Sequence, residues 1–433
     1  MKAIERALVA DFSSEDVLVY VAKSNSGFKT MDGTKNGAHR LCKELLELLC
    51  QVAEKGIKVT KLSIVAYSYG GILTRYMLGI LEELGLFETI TPVSYTSFAT
   101  PHLGSRMPSG KLRAQILNAI GSIAFGLTGR DLFYRSSVLR DLVDRKQPFF
   151  QALSRFRYHI LFANATWDRT VPFWTSYLSD KNPFQRRNHL ELNYYDHLHG
   201  VSAERLDDTQ KIPFLVDMES SSYHDTPTSK YRGLSPVEKR QRLLIIFLAP
   251  LILPTLALIL TFSSLYSFIR YSLFSESEPD YTDICRKLQN AMREDSPDHP
   301  GALKRLENKF KDDLADMAGE AVEDLLISSN QGYGNGSIGE DRITRGFAQA
   351  ACSRTGIEEQ APWTLSLDPD TREALDTLNS LQWRKFCCKL RHFNSHAEIV
   401  DRRRSKKQGS QAVAFFSKYL KRLLAEESNQ LSL

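Results

Sequence analysis

The chain has 433 residues, 42% hydrophobic and 25% charged, with 24 Gly and 16 Pro. That excludes a collagen-like repeat, a disulfide mini-protein and a mostly disordered polypeptide. Its 56 basic and 51 acidic residues leave a net charge of only +5, a bias too small to imply nucleic acid, which calls for a concentrated basic face.

The length suits one large domain with insertions or two ordinary ones. Six cysteines (Cys42, Cys50, Cys285, Cys352, Cys387 and Cys388) form no metal-type CxxC pairs and read as buried, reduced thiols of a cytosolic protein. Met1 to Asp11 carries no apolar stretch of a secretory signal.

Along the chain, strands and helices alternate. Val17 to Val21 is a β-branched run of strand length. Leu41, Leu45, Leu48, Leu49 and Val52 fall at helical spacing, and Gly56 stands where a C-cap would fall. Lys61 to Ala66 predicts a second strand, and Ile72, Leu73, Tyr76, Met77, Ile80 and Leu81 a second helix. Thr91 to Ala99 and Tyr158 to Ala163 predict further strands. Continuous apolar strands between amphipathic helices argue for a parallel sheet covered on both faces.

Ser105 to Phe156 breaks this rhythm. Ile116, Leu117, Ile120, Ile123, Ala124 and Leu127 make one apolar helical stripe, read either as core-packed or as a lid over an active site. Ser176 to Gly233 is polar and loop-rich. Between Arg242 and Arg270 lie 27 residues without a charge, longer than the ~20 that cross a bilayer. Ser275 to Gly301 reads as a linker, Lys304 to Ile327 as a charged helix and Gln331 to Gly339 as a Gly-rich loop. A closing amphipathic helix is predicted over about 412–425.

The most informative string is Ser63-Ile-Val-Ala-Tyr-Ser-Tyr-Gly-Gly-Ile72. A buried strand ends, Ser68 follows with small residues two before (Ala66) and two after (Gly70), and a helix begins. A tight strand-to-helix turn would lift Ser68 Oγ above the sheet edge, and crowding would forbid large side chains at the flanking positions. It would also aim the Tyr69 amide at a developing oxyanion.

A serine nucleophile needs a histidine base and a carboxylate to orient it, in the chain order Ser, acid, His. Asp168 follows the strand ending at Ala163, where such sheets place their chemistry. His396, His189, His197 and His199 all follow Asp168, and residue spacing alone leaves the base open. His197 and His199 do not amount to a metal site. Gly334, Gly336 and Gly339 match a dinucleotide fingerprint by letters but lack a preceding apolar strand. Asn164-Ala-Thr166 and Asn335-Gly-Ser337 are glycosylation acceptors only in a secreted protein. Arg402 to Lys407 is a basic run, read as either a solvated face or a contact for anionic headgroups.

Taken together, Ser24-Asn-Ser-Gly27, Thr30-Met-Asp-Gly33, Ala66-Tyr-Ser-Tyr-Gly-Gly71, Thr100-Pro-His-Leu-Gly104, Thr128-Gly-Arg-Asp-Leu-Phe133, Asp168-Arg-Thr-Val-Pro-Phe173 and His396-Ala-Glu-Ile-Val400 resemble the serine esterase family of fungi and plants. That family includes lipid-droplet phospholipases and monoacylglycerol lipases of yeast. The resemblance implies an α/β-hydrolase fold with a mostly parallel sheet, and no cofactor or metal. It also implies Ser68 as nucleophile, Asp168 as acid, His396 as base and the Tyr69 amide in the oxyanion hole. The implied activity is acyl-ester hydrolysis of phospholipids or acylglycerols at a membrane or lipid-droplet surface, with no nucleic acid partner. The sequence sets no oligomeric state.

The expected layout has residues 1–232 as the first part of the hydrolase domain, with a lid-like insertion at about 105–156. A membrane-associating segment over 233–274 and a charged insertion over 275–345 follow, and 346–433 returns to the hydrolase domain. The family's first strand ends in a His-Gly loop that lends an oxyanion amide, and no His-Gly pair precedes Val17. The alternative is therefore a catalytically impaired, membrane-anchored relative, or a truncated isoform or gene model of an active one.

Lys239, Arg240 and Arg242 precede the uncharged stretch, which for a simple span puts its N-terminal side in the cytosol; the resemblance implies a lipid droplet or the endoplasmic reticulum as the membrane. A single span would separate His396 from Ser68. Pro250 and Pro254 near the middle suit a hairpin that enters and returns.

Overall fold

The computed structural model describes residues 1–108, 112–195, 214–226, 279–293, 356–361, 364–390, 394–402, 408–431 and scattered positions between 240 and 269. Six strands form one sheet in the order β1-β2-β3-β6-β5-β4. These are β1 (Lys61–Tyr67), β2 (Thr91–Phe98), β3 (Tyr158–Asn164), β4 (Leu190–Tyr194), β5 (Leu215–Tyr223) and β6 (Arg384–Cys388). β1, β2, β3 and β6 run parallel; β5 and β4 extend the sheet antiparallel. The expected mixed α/β architecture with a mostly parallel sheet is present.

Strand alternation divides the core in two. Phe98, Phe162 and Phe386 are register neighbours on β2, β3 and β6. Their rings stack at 4.5 and 4.7 Å and Phe98 meets Phe416 edge-on. This face is covered by helix α1 (Lys2–Asp11) and the closing helix Gln408–Leu431, which bury Ile4, Leu8, Val413 and Leu420 together. Tyr95, Leu161, Ala163 and Cys387 point to the other face, under helices α2 (Thr34–Ala53) and α3 (Gly70–Glu83). Alternating residues thus feed opposite layers, as a doubly covered sheet requires.

The strands predicted around Lys61, Thr91 and Tyr158 and the helices predicted around Leu41, Ile72 and Val413 are present. Four sequence expectations need correction. Val17 to Val21 is not a strand: β1 pairs with β2 on one side and with no described strand on the other, so the run has no ladder to join, and β-propensity without a partner does not make a strand.

Within the polar 176–233 region, Leu190–Tyr194 and Leu215–Tyr223 form the antiparallel extension, because short alternating patterns such as Leu215-Val-Asp-Met bury one face.

The presumed linker contains a 12-residue helix, Thr282–Arg293. Tyr281, Ile284 and Leu288 lie on one side of it and dock on α2. His39 Nδ1 meets the Tyr281 hydroxyl at 2.9 Å, and Cys50 Sγ donates to the Ile284 carbonyl.

The stripe at Ile116 to Ile123 lies on helix α4 (Leu112–Ala124), followed by α5 (Gly126–Leu132). It is neither core-packed nor closed over another element: Ile116, Ile120 and Ile123 are exposed.

Cys42, Cys50, Cys387 and Cys388 are buried free thiols and Cys285 is half-buried; Cys352 lies outside the described residues. The helix expected over 304–327, the Gly-rich loop at 331–339, His197, His199 and the basic residues 403–407 also lie outside them, as does most of 243–269. Among the described residues, no helix is long and apolar enough to cross a membrane.

Candidate active site

The C-terminal ends of the parallel strands β1, β3 and β6 lie at one rim, with β2 between β1 and β3. β1 ends at Tyr67, paired with Phe98; β3 ends at Asn164, paired with Cys388 of β6. Each strand therefore releases its next residues at one rim, where open α/β sheets place their chemistry. Ser68 follows β1 directly, Asp168 follows β3 by four residues, and His396 sits in a short helical turn, Ser395–Glu398, after β6.

Ser68 adopts φ 54°, a left-handed conformation that non-glycine residues enter rarely. The conformation is held by its neighbours: Ser68 N–H donates to the Phe98 carbonyl at 2.8 Å, and Gly71 and Ile72 amides close the first turn of α3 on Ser68 and Tyr69 carbonyls. Helix α3 starts at Gly70, so the reversal from strand to helix is completed within two residues.

The crowded glycine is not the one expected. A Cβ built on Gly70 would meet nothing within 4 Å, whereas one on Gly71 would lie 2.3 Å from the Cγ2 and Oγ1 of Thr100. The close packing is between the α3 N-terminus and the loop after β2, one residue later than the motif suggests.

Ser68 Oγ lies 2.8 Å from His396 Nε2, and His396 Nδ1 lies 2.9 Å from Asp168 Oδ2. Asp168 side-chain exposure is 3% and that of His396 11%, so both hydrogen bonds form largely out of water. A carboxylate at Nδ1 fixes the tautomer: Nδ1–H donates to Asp168, leaving Nε2 to accept the Ser68 hydroxyl proton. Of the four histidines left open by spacing, the structure brings only His396 to Ser68 among the described residues. His189 instead bonds the His224 carbonyl through Nδ1.

The carboxylate of Asp168 is saturated with donors. Oδ1 accepts from the Thr170 and Val171 amides at 3.0 and 2.8 Å. Oδ2 accepts from Asn164 Nδ2 at 2.8 Å besides His396. Asn164 is 2% exposed; its side chain is committed to the carboxylate, and it is no glycan acceptor in this fold.

The histidine turn is tied down twice more. Ser395 Oγ donates to the Thr166 carbonyl at 2.8 Å, linking it to the acid loop. Tyr67 O–H donates to the His396 carbonyl at 2.9 Å, and its ring lies 5.1 Å from the imidazole. Sequence reading missed Asn164, Tyr67 and Ser395 as supports; Tyr67 and Ser395 adjoin Ser68 and His396, Asn164 precedes Asp168 by four residues, and only the fold reveals what each side chain reaches.

The Tyr69 amide donates to no described residue. The Tyr69 ring is half-buried, and desolvation pushes the phenol well above its ordinary value. The Tyr69 hydroxyl contacts Thr34 Oγ1 at 2.9 Å and Thr128 Oγ1 at 3.3 Å. Asp131 completes this cluster by accepting from the Thr34 amide at 2.7 Å, at the N-terminus of α2, where a carboxylate is favoured. The Thr30–Gly33 and Thr128–Phe133 motifs, 95 residues apart, are thereby joined to the elbow: Gly33 N–H donates to Thr128 Oγ1. Among the described residues, no group of His, Cys, Asp or Glu could hold a metal ion.

A mostly parallel sheet with a serine, a histidine and a carboxylate hydrogen-bonded in series at its C-terminal rim defines an α/β-hydrolase-like protein. Residues 1–180 match the family described as "Putative serine esterase (DUF676)". It is similar to "Putative lipase C4A8.10" of Schizosaccharomyces pombe, with 31% identity over 188 residues, covering 41% of this chain and 24% of that one. It is also similar to "Putative lipase ROG1" of Saccharomyces cerevisiae, with 26% identity over 230 residues, covering 51% of this chain and 30% of that one. The chain thus spans under a third of the length of the curated relatives it matches. No solved structure matches it.

Proposed function

We propose that this chain is a serine hydrolase that cleaves acyl esters of lipids at a membrane or lipid-droplet surface. The observation that carries the reading is the relay from Ser68 through His396 to Asp168, at 2.8 and 2.9 Å, on a turn that holds Ser68 at φ 54°. Both relatives are named lipases, which favours a lipid ester as substrate.

In this reading Ser68 Oγ attacks the ester carbonyl while its proton passes to His396 Nε2. Asp168 stabilises the imidazolium. The Tyr69 amide receives the oxyanion, a role worth ~2.7–4 kcal/mol per donor. Collapse of the tetrahedral intermediate breaks the C–O bond, and His396 returns the proton to the leaving alkoxide. Water then attacks the acyl-enzyme, with His396 as base, and frees the fatty acid and Ser68.

The 27-residue uncharged stretch supports action at a surface. Because Ser68 and His396 meet, this intervening segment would enter and leave a membrane on one side, the cytosolic one, or lie along it.

One observation favours the impaired relative as a second reading: β1 has a described partner on one side only, and Tyr69 supplies the one oxyanion amide assigned here. A fluorophosphonate probe separates the two. The hydrolase reading expects labelling that Ser68→Ala abolishes. Equal labelling of the Ala variant would end the assignment of Ser68, and a wild type as inert as the variant would establish the impaired relative.

A further inference from the structure

We propose that helix α4 is a docking face for an anionic phospholipid surface; this deepens the lipid-surface reading above by naming the face and the lipid charge. The helix is inside out. Its inward side carries small residues: Ala114 and Ser122 are buried, and Gly121 packs so closely that a Cβ there would meet the Phe133 ring at 2.3 Å. Its outward side carries large ones. Leu112, Ile116, Ile120 and Ile123, spaced by four, four and three residues, share one stripe. They are 71%, 50%, 57% and 69% exposed. A water-facing helix normally shows the reverse pattern.

The orientation is enforced rather than free. Helix α5 is latched to the body by Thr128 Oγ1, which donates to the Thr30 carbonyl and accepts from Gly33 N–H, and by Asp131 on the Thr34 amide. Helix α4 packs on α5 where Gly129 sits against the Gly121 carbonyl. Asn118 pins the preceding loop through both its amide atoms to Met107. The stripe therefore cannot turn inward without breaking these bonds.

Two observations choose the occupant. First, the apolar surface continues: Ser264 Oγ, in the uncharged stretch, donates to the Ile123 carbonyl at 2.9 Å. There Phe247, Phe262 and Phe268 are exposed as well. Second, the charge has one sign. Between Glu88 and Asp131 the sequence holds no carboxylate, and its cations are Arg106, Lys111, Arg113 and Arg130. Arg106 is paired with Asp368 at 3.6 Å, which leaves Arg113 and Arg130 as the exposed cations beside the stripe, an arrangement that fits acyl chains beneath anionic headgroups.

The test uses the full chain carrying Ser68→Ala, so that hydrolysis plays no part. Ile120→Trp is added and its extra emission followed with vesicles of phosphatidylcholine and phosphatidylserine containing brominated lipid. The proposal expects a blue shift and quenching that weaken in phosphatidylcholine alone. It expects Arg113→Ala to lower affinity ~5-fold in low salt, the effect of one basic residue at an anionic surface. It expects Ile120→Glu with Ile123→Glu to cut co-flotation with the anionic vesicles by ~10-fold or more, with an unchanged melting temperature because both positions are exposed.

Emission from Ile120→Trp that ignores the lipid would overturn the proposal, as would equal quenching in neutral vesicles. So would an α4-dependent dimer in sedimentation that persists on vesicles, since a second copy would then cover the stripe. These outcomes are independent of probe labelling at Ser68, so the docking face and the hydrolase reading fail separately.

Discussion

For the paired glycines after Ser68, the structure makes opposite predictions, and it places the constraint on Gly71 where the motif places it on Gly70. In Gly71→Ala the new methyl would sit 2.3 Å from two atoms of the buried Thr100 side chain, well inside the ~3.5–4.0 Å of carbon contact. Neither side yields easily: α3 is fixed by the turn at Ser68, and the 99–104 loop is anchored by Ser97 Oγ on His102 Nε2 at 2.8 Å.

Overpacking of this kind costs ~1–3 kcal/mol. An overlap this deep belongs at the upper end, and the helix preference of Ala returns ~1 kcal/mol. A net loss of ~2 kcal/mol would lower the melting temperature by ~4–8 °C for a domain of this order of size. Gly70→Ala meets no atom and lies outside the positive-φ glycines, so its effect should fall between neutral and ~1 kcal/mol stabilising.

Thermal melts of the two variants, together with Gly71→Ala in a Thr100→Ala background, make a short cycle. Removing Cγ2 and Oγ1 should recover most of the loss. That truncation is itself mild, because Thr100 Oγ1 has no hydrogen-bond partner among the described residues. Equal destabilisation by Gly70→Ala and Gly71→Ala, or no recovery from Thr100→Ala, would refute the reasoning.

Three further outcomes are expected. Asn164→Ala removes a donor from an ionised, buried carboxylate, a bond worth ~1.5–3 kcal/mol, and should slow fluorophosphonate labelling ~10–100-fold; an unchanged rate would show that the two loop amides suffice to hold Asp168. Tyr67→Phe keeps the ring beside His396 and loses only the bond to its carbonyl, so it should cost ~0.5–1.5 kcal/mol in urea melts, whereas a larger loss would mean the hydroxyl does more than anchor the turn.

Burial holds His102 well below the usual histidine range and also lowers His159. Below an unfolded-state pKa of ~6.5 the unfolded chain takes up protons that the folded chain refuses. Stability should therefore be fully present above that pH and fall as pH drops through 6 toward 5, by up to ~1.4 kcal/mol per pH unit per histidine. His102→Gln should flatten the slope, and a slope that survives in the variant would place the effect elsewhere.

Much of the site was legible because its chemistry is local. The strand–Ser68–helix string and Asp168 after an apolar strand are short patterns whose backbone consequences are settled within a few residues. The base was not legible in this way. His396 stands 328 residues from Ser68, and spacing could not choose it among four histidines; the choice came from resemblance to a family. Tyr67 and Ser395 could not be ranked at all, since a side chain's hydrogen-bond partner across 329 or 229 residues leaves no mark in local sequence.

Periodicity by itself determined that parallel strands alternate with helices, because buried strands and amphipathic helices need only their own residues to declare a period. It also located the apolar stripe from Ile116 to Ile123, but not its direction. Whether that stripe enters the core depends on what packs behind the helix, and Gly121, Gly129 and the Thr128–Asp131 latch turn it outward. The run Val17 to Val21 shows the converse: its residues suit a strand, yet strand formation is a property of a pair, and tertiary structure gives it no described partner.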